Sequence, residues 1–339
     1  MNIKTNIPFS ELTTMKLGGP AKFLAEATTV QELVDLYRNA KRLGQRVLII
    51  GGGSNLIVKD KGFDGLVIKN RIPGFSVIED DGASQTIKIG AGEDWDSVVA
   101  RSVDMGLSGI EALSAIPGVS GAAPIQNIGA YGQEIADTLV YVEAYDSQTD
   151  TLVKLSWEDC GFSYRHSIFR GSAQGRFAIT AIVLKLYKKS PTPPFYAAIE
   201  KYFEELAITD YTLAAVRNAV ITIRTNKLPD PVQHPNSGSF FKNIVVEKWQ
   251  ANAILEKYPD MPSYKMDGDH LKIPTGWLIE TADLKGELLH GMRIHTGNAL
   301  VLINESATSY ADLAAARDEI ISTVRDKFQV TIEQEPLEI

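Results

Sequence analysis

The sequence predicts an α+β chain of two or three domains, and three observations carry that prediction. At 339 residues it exceeds what one ordinary core accommodates. A run of glycines at 51–53 lies between two apolar strand patterns rather than between a strand and a helix. Strand and helix patterns then alternate to the end, interrupted by Pro-rich breaks at 188–194 and 227–239.

Residues 8–70 read as compact strands around one helix. Ala21 to Ala27 has the pattern of a short strand, and Thr29 can cap a helix to about Leu43 on which Leu33, Leu36 and Tyr37 recur at helical spacing. Arg46 to Ile50 is a buried-strand run that feeds into Gly51, Gly52, Gly53, Ser54 and Asn55, where bare backbone N–H groups suit phosphate oxygens. A Rossmann turn needs GxGxxG spacing and a following helix. Here Leu56, Ile57 and Val58 continue as another apolar strand, so the chain is not a Rossmann protein.

Gln85 to Ile89, Val140 to Tyr145, Leu152 to Leu155 and Ala178 to Tyr187 read as half-buried strands, and Trp95 to Met105 as an amphipathic helix ending at Gly106. Residues 114–132 follow, uncharged and crowded with Gly and Ala. Small residues and two prolines let a backbone approach something closely on a fixed path, as in wrapping a flat, polyphosphate-bearing cofactor; the alternative is a plain connecting loop. Such a stretch is expected neither to fill a core nor to build a helix or strand. Lys188 to Pro194 ends the last strand, Ala197 to Leu206 and Leu213 to Thr225 read as helices, and a domain boundary is expected near Thr225. The remainder predicts a helix from Lys248, a turn at Lys265 to His270, a helix around Pro274 to Thr281, a strand at Ala299 to Asn304, a long helix from Ser309 to Phe328 and a closing strand at Val330 to Glu333.

Composition excludes several classes. Hydrophobic residues at 44% and charged ones at 22% are those of a folded globular protein. A net charge of -8 argues against a nucleic-acid groove as the main partner, though not against an anionic ligand in a local field. The single cysteine, Cys160, allows no internal disulfide and no Cys-based zinc cluster; it reads as a small buried residue rather than a nucleophile and fits a reducing compartment. Residues 1–8 lack a signal pattern, and no window approaches the roughly 18 apolar residues of a membrane span, so a cytoplasmic protein without a membrane partner is expected.

Gly51 to Asn55, Ile116 to Gly132, Tyr164 to Phe169, Arg224 to Pro231 (RTNKLPDP), Ser237 to Asn243 (SGSFFKN) and Ile332 to Glu335 form an ordered set along the chain. Together they resemble the UDP-N-acetylenolpyruvoylglucosamine reductase family, flavoproteins that make UDP-N-acetylmuramate for peptidoglycan, from about Phe9 to the C-terminus. The resemblance implies an FAD-binding α+β fold of the vanillyl-alcohol-oxidase type with a smaller α+β substrate-binding domain. It places FAD-binding subdomains at 1–71 and 72–225, with the C-terminal strand returning to the first, and a substrate domain at 226–339. Non-covalent FAD would be held by Gly51, Gly52, Gly53, Ser54, Asn55, Pro117, Gly118, Val119, Ser120, Gly121, Ala122, Gln126, Asn127, Gly129, Ala130, Tyr131 and Arg224. NADPH would be the co-substrate, no metal is implied, and a monomer is expected.

The implied chemistry is hydride delivery to an enolpyruvyl ether, which requires a cation at the carboxylate, a group to hold the developing enolate and a proton donor. Ser239 resembles the donor; the alternative is a serine that hydrogen-bonds backbone in a Ser-Gly-Ser turn. Arg165 resembles the carboxylate-steadying arginine and Glu335 the second stabilising group. Tyr164, Tyr196, Lys227, Asn243 and Asn298 resemble substrate contacts, with Tyr196 closing over the UDP end or, alternatively, packing on Tyr202 at a helix start. Four positions depart from the family pattern: Val119 stands where a hydroxyl is usual with Ser120 next, Leu12 replaces asparagine, Asn298 stands where glutamine is common, and Pro336 follows Glu335. A sugar or alcohol oxidase of the same fold is the rival reading; such enzymes tether FAD through His or Cys, and none of His166, His234, His270, His290 and His295 lies in such a setting.

Overall fold

A computed structural model describes residues 2–266 and 268–339, so the expected turn at Lys265 to His270 lies partly outside the described residues at Asp267. Seven α-helices are present among them: α1 (Val30–Arg42), α2 (Trp95–Asp104), α3 (Ala197–Glu205), α4 (Leu213–Lys227), α5 (Lys248–Leu255), α6 (Thr275–Thr281) and α7 (Tyr310–Phe328). The described residues divide into two compact units, one of residues 2–7, 21–53 and 63–225, the other of residues 8–20, 54–62, 226–266 and 268–339.

The first unit holds two sheets. One orders Lys4–Pro8, Pro20–Ala27, Phe63–Asn70 and Arg46–Ile50, with the last three parallel. The Oγ1 of Thr29 accepts from Glu32 N and starts α1, whose Leu33, Leu36 and Tyr37 pack on this sheet. The other sheet is antiparallel, in the order Thr151–Ser156, Leu139–Asp146, Phe177–Tyr187, Ser84–Gly90 and Phe75–Asp80. Phe177–Tyr187 is its centre and is buried along nearly its whole length, where half-burial was expected, because both its faces are covered. Fully buried Trp95, with Val98 and Val99 of α2, completes that core.

The glycine loop at 51–55 is followed by a two-residue strand, Leu56–Ile57, and not by a helix, as expected for a non-Rossmann chain. Residues 114–132 depart from expectation in two ways. Ser120–Gln126 winds into a 3₁₀-helix, and Gly129–Ala130 pairs with Gln133–Glu134 as a short hairpin. Small side chains also do fill core here: Ala123 is 2% exposed, with Ile116, Ile125 and Ile128 packed on the same cluster.

The second unit has an antiparallel sheet ordered Asn236–Ser239, Val301–Asn304, Met292–Ile294 and Leu288–Leu289, and a smaller one ordered Ile244–Glu247, His270–Ile273 and Tyr264–Lys265. Leu313, Ala316, Ile320, Val324 and Phe328 recur at helical spacing along the buried face of α7 and meet Phe240 and Phe241, both 0% exposed. No paired strand forms at Val330 to Glu333. Gln334 bridges Phe241 instead, and Leu337–Glu338 pairs in parallel with Leu56–Ile57, so the closing strand starts seven residues and ends five residues later than the apolar pattern indicated. No described helix is long and apolar enough to cross a membrane.

Candidate active site

In the first unit the two glycine-bearing loops meet backbone to backbone. A Cβ on Gly51 would stand 2.4 Å from Val119 Cγ2, and one on Gly52 would stand 3.3 Å from Gly118 Cα. Gly53 and Gly118 take φ of 67° and 130°, which glycine alone adopts without strain. The N–H groups of Gly52 and Gly53 have no protein acceptor among the described residues. Two touching loops with free amide donors, whose approach at Gly52 and Gly118 is backbone to backbone, suit a pyrophosphate, so the implied cofactor fits the residues present.

The segment 113–121 is fixed onto the first turn of α2. Trp95 Nε1 donates to Leu113 O at 3.0 Å and Trp95 N to Gly118 O at 3.1 Å; Ser120 N and Gly121 N donate to Glu93 O and Ala91 O. Between these anchors Asp96 Oδ1 accepts from Ala115 N at 2.6 Å, and Arg217 of α4 holds both Asp96 oxygens at 2.6 and 2.8 Å. The Arg217 bond holds the Asp96 carboxyl below its ordinary pKa, and Arg217 is raised in return. Arg224 Nε donates to Ala115 O at 3.2 Å, and burial pushes this guanidinium down. Asp96 and Arg217 were missed in the sequence; their only signals were an acid in the first turn of a predicted helix and an arginine seven residues before Arg224.

Several of the implied flavin contacts face inward. The Ser120 hydroxyl, wholly buried, donates to Glu93 O at 3.2 Å. Asn127, 1% exposed at φ 49°, spends its amide on Glu134, Ser163 and Ala136 and holds the loop from within. Gln126 Oε1 accepts from Arg170 at 2.6 Å. Arg165 lies beyond this loop at φ 54°, its Nη2 donating to Gly129 O at 2.8 Å and its guanidinium 5.4 Å from the Tyr164 ring. Tyr196 stands at the start of α3, 53% exposed, and packs edge-on against Tyr131 at 5.6 Å rather than on Tyr202. A cavity of about 580 Å³ opens beside these two rings, walled by Pro191, Thr192, Pro194, Phe195 and Ile199.

In the second unit Ser239 and Glu335 are neighbours through the backbone. Glu335 N donates to Phe240 O at 2.8 Å, Phe241 bridges Gln334, and Lys242 N donates to Glu333 O. Gly238 at φ 72° turns the chain just before Ser239, and the half-buried Ser239 Oγ makes no hydrogen bond among the described residues, so the backbone-bonded alternative is not adopted. The side-chain Oδ1 of Asn243 accepts from Thr275 N, the first residue of α6, at 3.1 Å, while Asn298 Oδ1 accepts from Leu300 N. Lys227, exposed, ends α4. No group of His, Cys, Asp and Glu able to hold a metal occurs among the described residues.

Residues 21–156 match the family described as FAD binding domain, and residues 230–339 that described as UDP-N-acetylenolpyruvoylglucosamine reductase, C-terminal domain. A UDP-N-acetylenolpyruvoylglucosamine reductase of Dechloromonas aromatica is 39% identical, over 99% of this chain and 99% of its own. That of Shigella sonnei is also 39% identical, over 93% of this chain and 90% of its own. A crystal structure of UDP-N-acetylenolpyruvylglucosamine reductase from Thermus caldophilus shares the fold, with a TM-score of 0.70 at 22% identity over 100% of this chain and 99% of that one.

Proposed function

The chain belongs to the UDP-N-acetylenolpyruvoylglucosamine reductase family, and from that membership we propose that it reduces the enolpyruvyl ether of UDP-N-acetylglucosamine enolpyruvate to UDP-N-acetylmuramate for peptidoglycan synthesis, with NADPH as the source of electrons. FAD, when bound, supplies the two-electron carrier between NADPH and the enolpyruvyl double bond. Gly51 to Gly53, Gly118, Gly121 and Arg224 of the first unit would hold it without a covalent link. On the same reading the enzyme works as a monomer in the cytoplasm.

The observation that carries the reading is the pairing that sets Ser239 beside Glu335. Reduction leaves negative charge beside the substrate carboxylate, and the carbon bearing that charge takes a proton. Ser239 Oγ, with no described protein partner, is the proton donor. A serine hydroxyl is a weak acid, so it acts only at a carbon of strongly basic character and only when held in line with it. The Glu335 carboxyl, its backbone fixed by Phe240 O, stabilises the developing charge when it is protonated or acts through charged neighbours. Arg165, anchored by Gly129 O, grips the substrate carboxylate with a planar fork that a lysine would not reproduce. Lys227 is a point charge for the diphosphate, while Tyr164, Tyr196, Asn243 and Asn298 complete the contacts.

Stopped-flow absorbance tests the whole reading. NADPH should bleach the flavin, and UDP-N-acetylglucosamine enolpyruvate should restore its colour. A bleached enzyme that this substrate never reoxidises overturns the assignment, and flavin that stays on the chain after acid denaturation points to the tethered oxidases.

A further inference from the structure

The turn at Ser114–Ala115 is held by side chains that the reaction does not itself require. Ala115 is an L-residue at φ 56°, a conformation the chain abandons readily unless its surroundings impose it. Its N–H donates to Asp96 at 2.6 Å and its carbonyl accepts from Arg224 at 3.2 Å, so the residue is pinned on both sides. Asp96 is gripped in turn by the bidentate Arg217, whose Nη1 also reaches Ser114 Oγ at 2.9 Å; that hydroxyl donates to Glu111 O at 2.6 Å. Arg217 and Arg224 lie seven residues apart on α4, two turns along one face. One helix therefore provides both the cation that sets the carboxylate and the cation that rests on the carbonyl.

Arg224 has no carboxylate within ion-pair distance among the described residues. A half-buried guanidinium in that state calls for an anion.

We propose that Asp96 and Arg217 are positioning residues for the flavin: the pair imposes the left-handed turn at Ala115, and the turn aims Arg224 at negative charge on bound FAD. The proposal rests on the reading of residues 114–132 and Arg224 as part of the FAD seat. Arg217 acts through Ala115 and Arg224 and touches no reacting atom.

The test titrates full-length R217M, R224M and R217M/R224M apoproteins with FAD by flavin fluorescence, and measures the thermal midpoint of each with and without saturating FAD. R217M is expected to raise the FAD dissociation constant at least tenfold and to shrink the rise in midpoint that FAD confers. Adding Ala115→Gly to R217M should recover most of the affinity, because glycine takes positive φ without the pair. R217M/R224M should bind FAD no more than about twofold more weakly than R224M, since the two act in one chain of contacts. If R217M lowers the apoprotein midpoint but leaves the dissociation constant and the FAD-conferred rise unchanged, or if the two arginine defects multiply, the pair is merely structural and the proposal is overturned. Asp96→Asn gives the same readouts should R217M fail to fold. Unchanged FAD affinity in R224M would sink the reading of the seat itself, whatever R217M does.

Discussion

Ser239 and Cys160 are both small polar residues, and their surroundings give them opposite fates. Ser239 Oγ is half-buried and makes no hydrogen bond among the described residues, the condition of a hydroxyl available to a substrate. Ser239→Ala should leave flavin reduction by NADPH unchanged and slow reoxidation by the enolpyruvyl substrate by at least about 10²-fold, as loss of a placed acid does. Equal slowing of both half-reactions would refute its role as proton donor. Cys160 is 0% exposed, and burial, with the Asp159 charge adding, pushes its thiol up to about 12. Almost no thiolate then exists at pH 8. Iodoacetamide should alkylate the native protein at least about 100-fold more slowly than the urea-unfolded chain, as read by mass spectrometry; comparable rates would show that the site opens.

Helix α7 illustrates what an element owes to its ends. Ser309 Oγ accepts from Asp312 N at 3.1 Å while Asp312 Oδ2 accepts from Ser309 N at 3.0 Å, a reciprocal pair that satisfies two otherwise orphaned donors. Ser309→Ala should cost about 1 kcal/mol in urea unfolding. An unchanged midpoint would mean that core packing alone fixes where α7 begins. This helix was legible because cap, periodicity and length all pointed the same way, and the same holds for α1 with Thr29 and α2 with Gly106. The strands at Lys4–Pro8 and Phe75–Asp80 were not legible: both are largely exposed edge strands with little apolar alternation, fixed by their neighbours rather than by their own residues. The 3₁₀-helix at Ser120–Gln126 was hidden for another reason. Small residues have no strong period, and its position comes from the Glu93 and Ala91 carbonyls of another segment. In the candidate site, Ser239, Glu335 and Arg165 could be found because each sits in a dense motif, whereas Asp96 and Arg217 sit in ordinary helices and gain meaning only when the fold brings 96, 115 and 217 together.

Across the molecule, several carboxyls are held below their ordinary range. Arg217 lowers Asp96 and Arg176 lowers Asp146; at Glu338 burial pulls the other way, but Lys59, Tyr310 and Arg317 outweigh it. A carboxyl lowered on folding contributes stability that is present above its unfolded pKa and is lost as pH falls through the folded one. The thermal midpoint should thus be nearly level from pH 7 to about 5 and fall progressively below about 4, with Asp146→Asn lower at pH 7 and shallower in acid. A midpoint level down to pH 3 would contradict this. The parallel pairing of Leu56–Ile57 with Leu337–Glu338 has a consequence for biosynthesis. During translation the earlier strand leaves the ribosome with almost the whole chain still to be made, and it waits with its edge open until the partner emerges. The second unit therefore completes only after residues 337–338 have emerged, and until then the open edge at Leu56–Ile57 is a place where the nascent chain can pair wrongly.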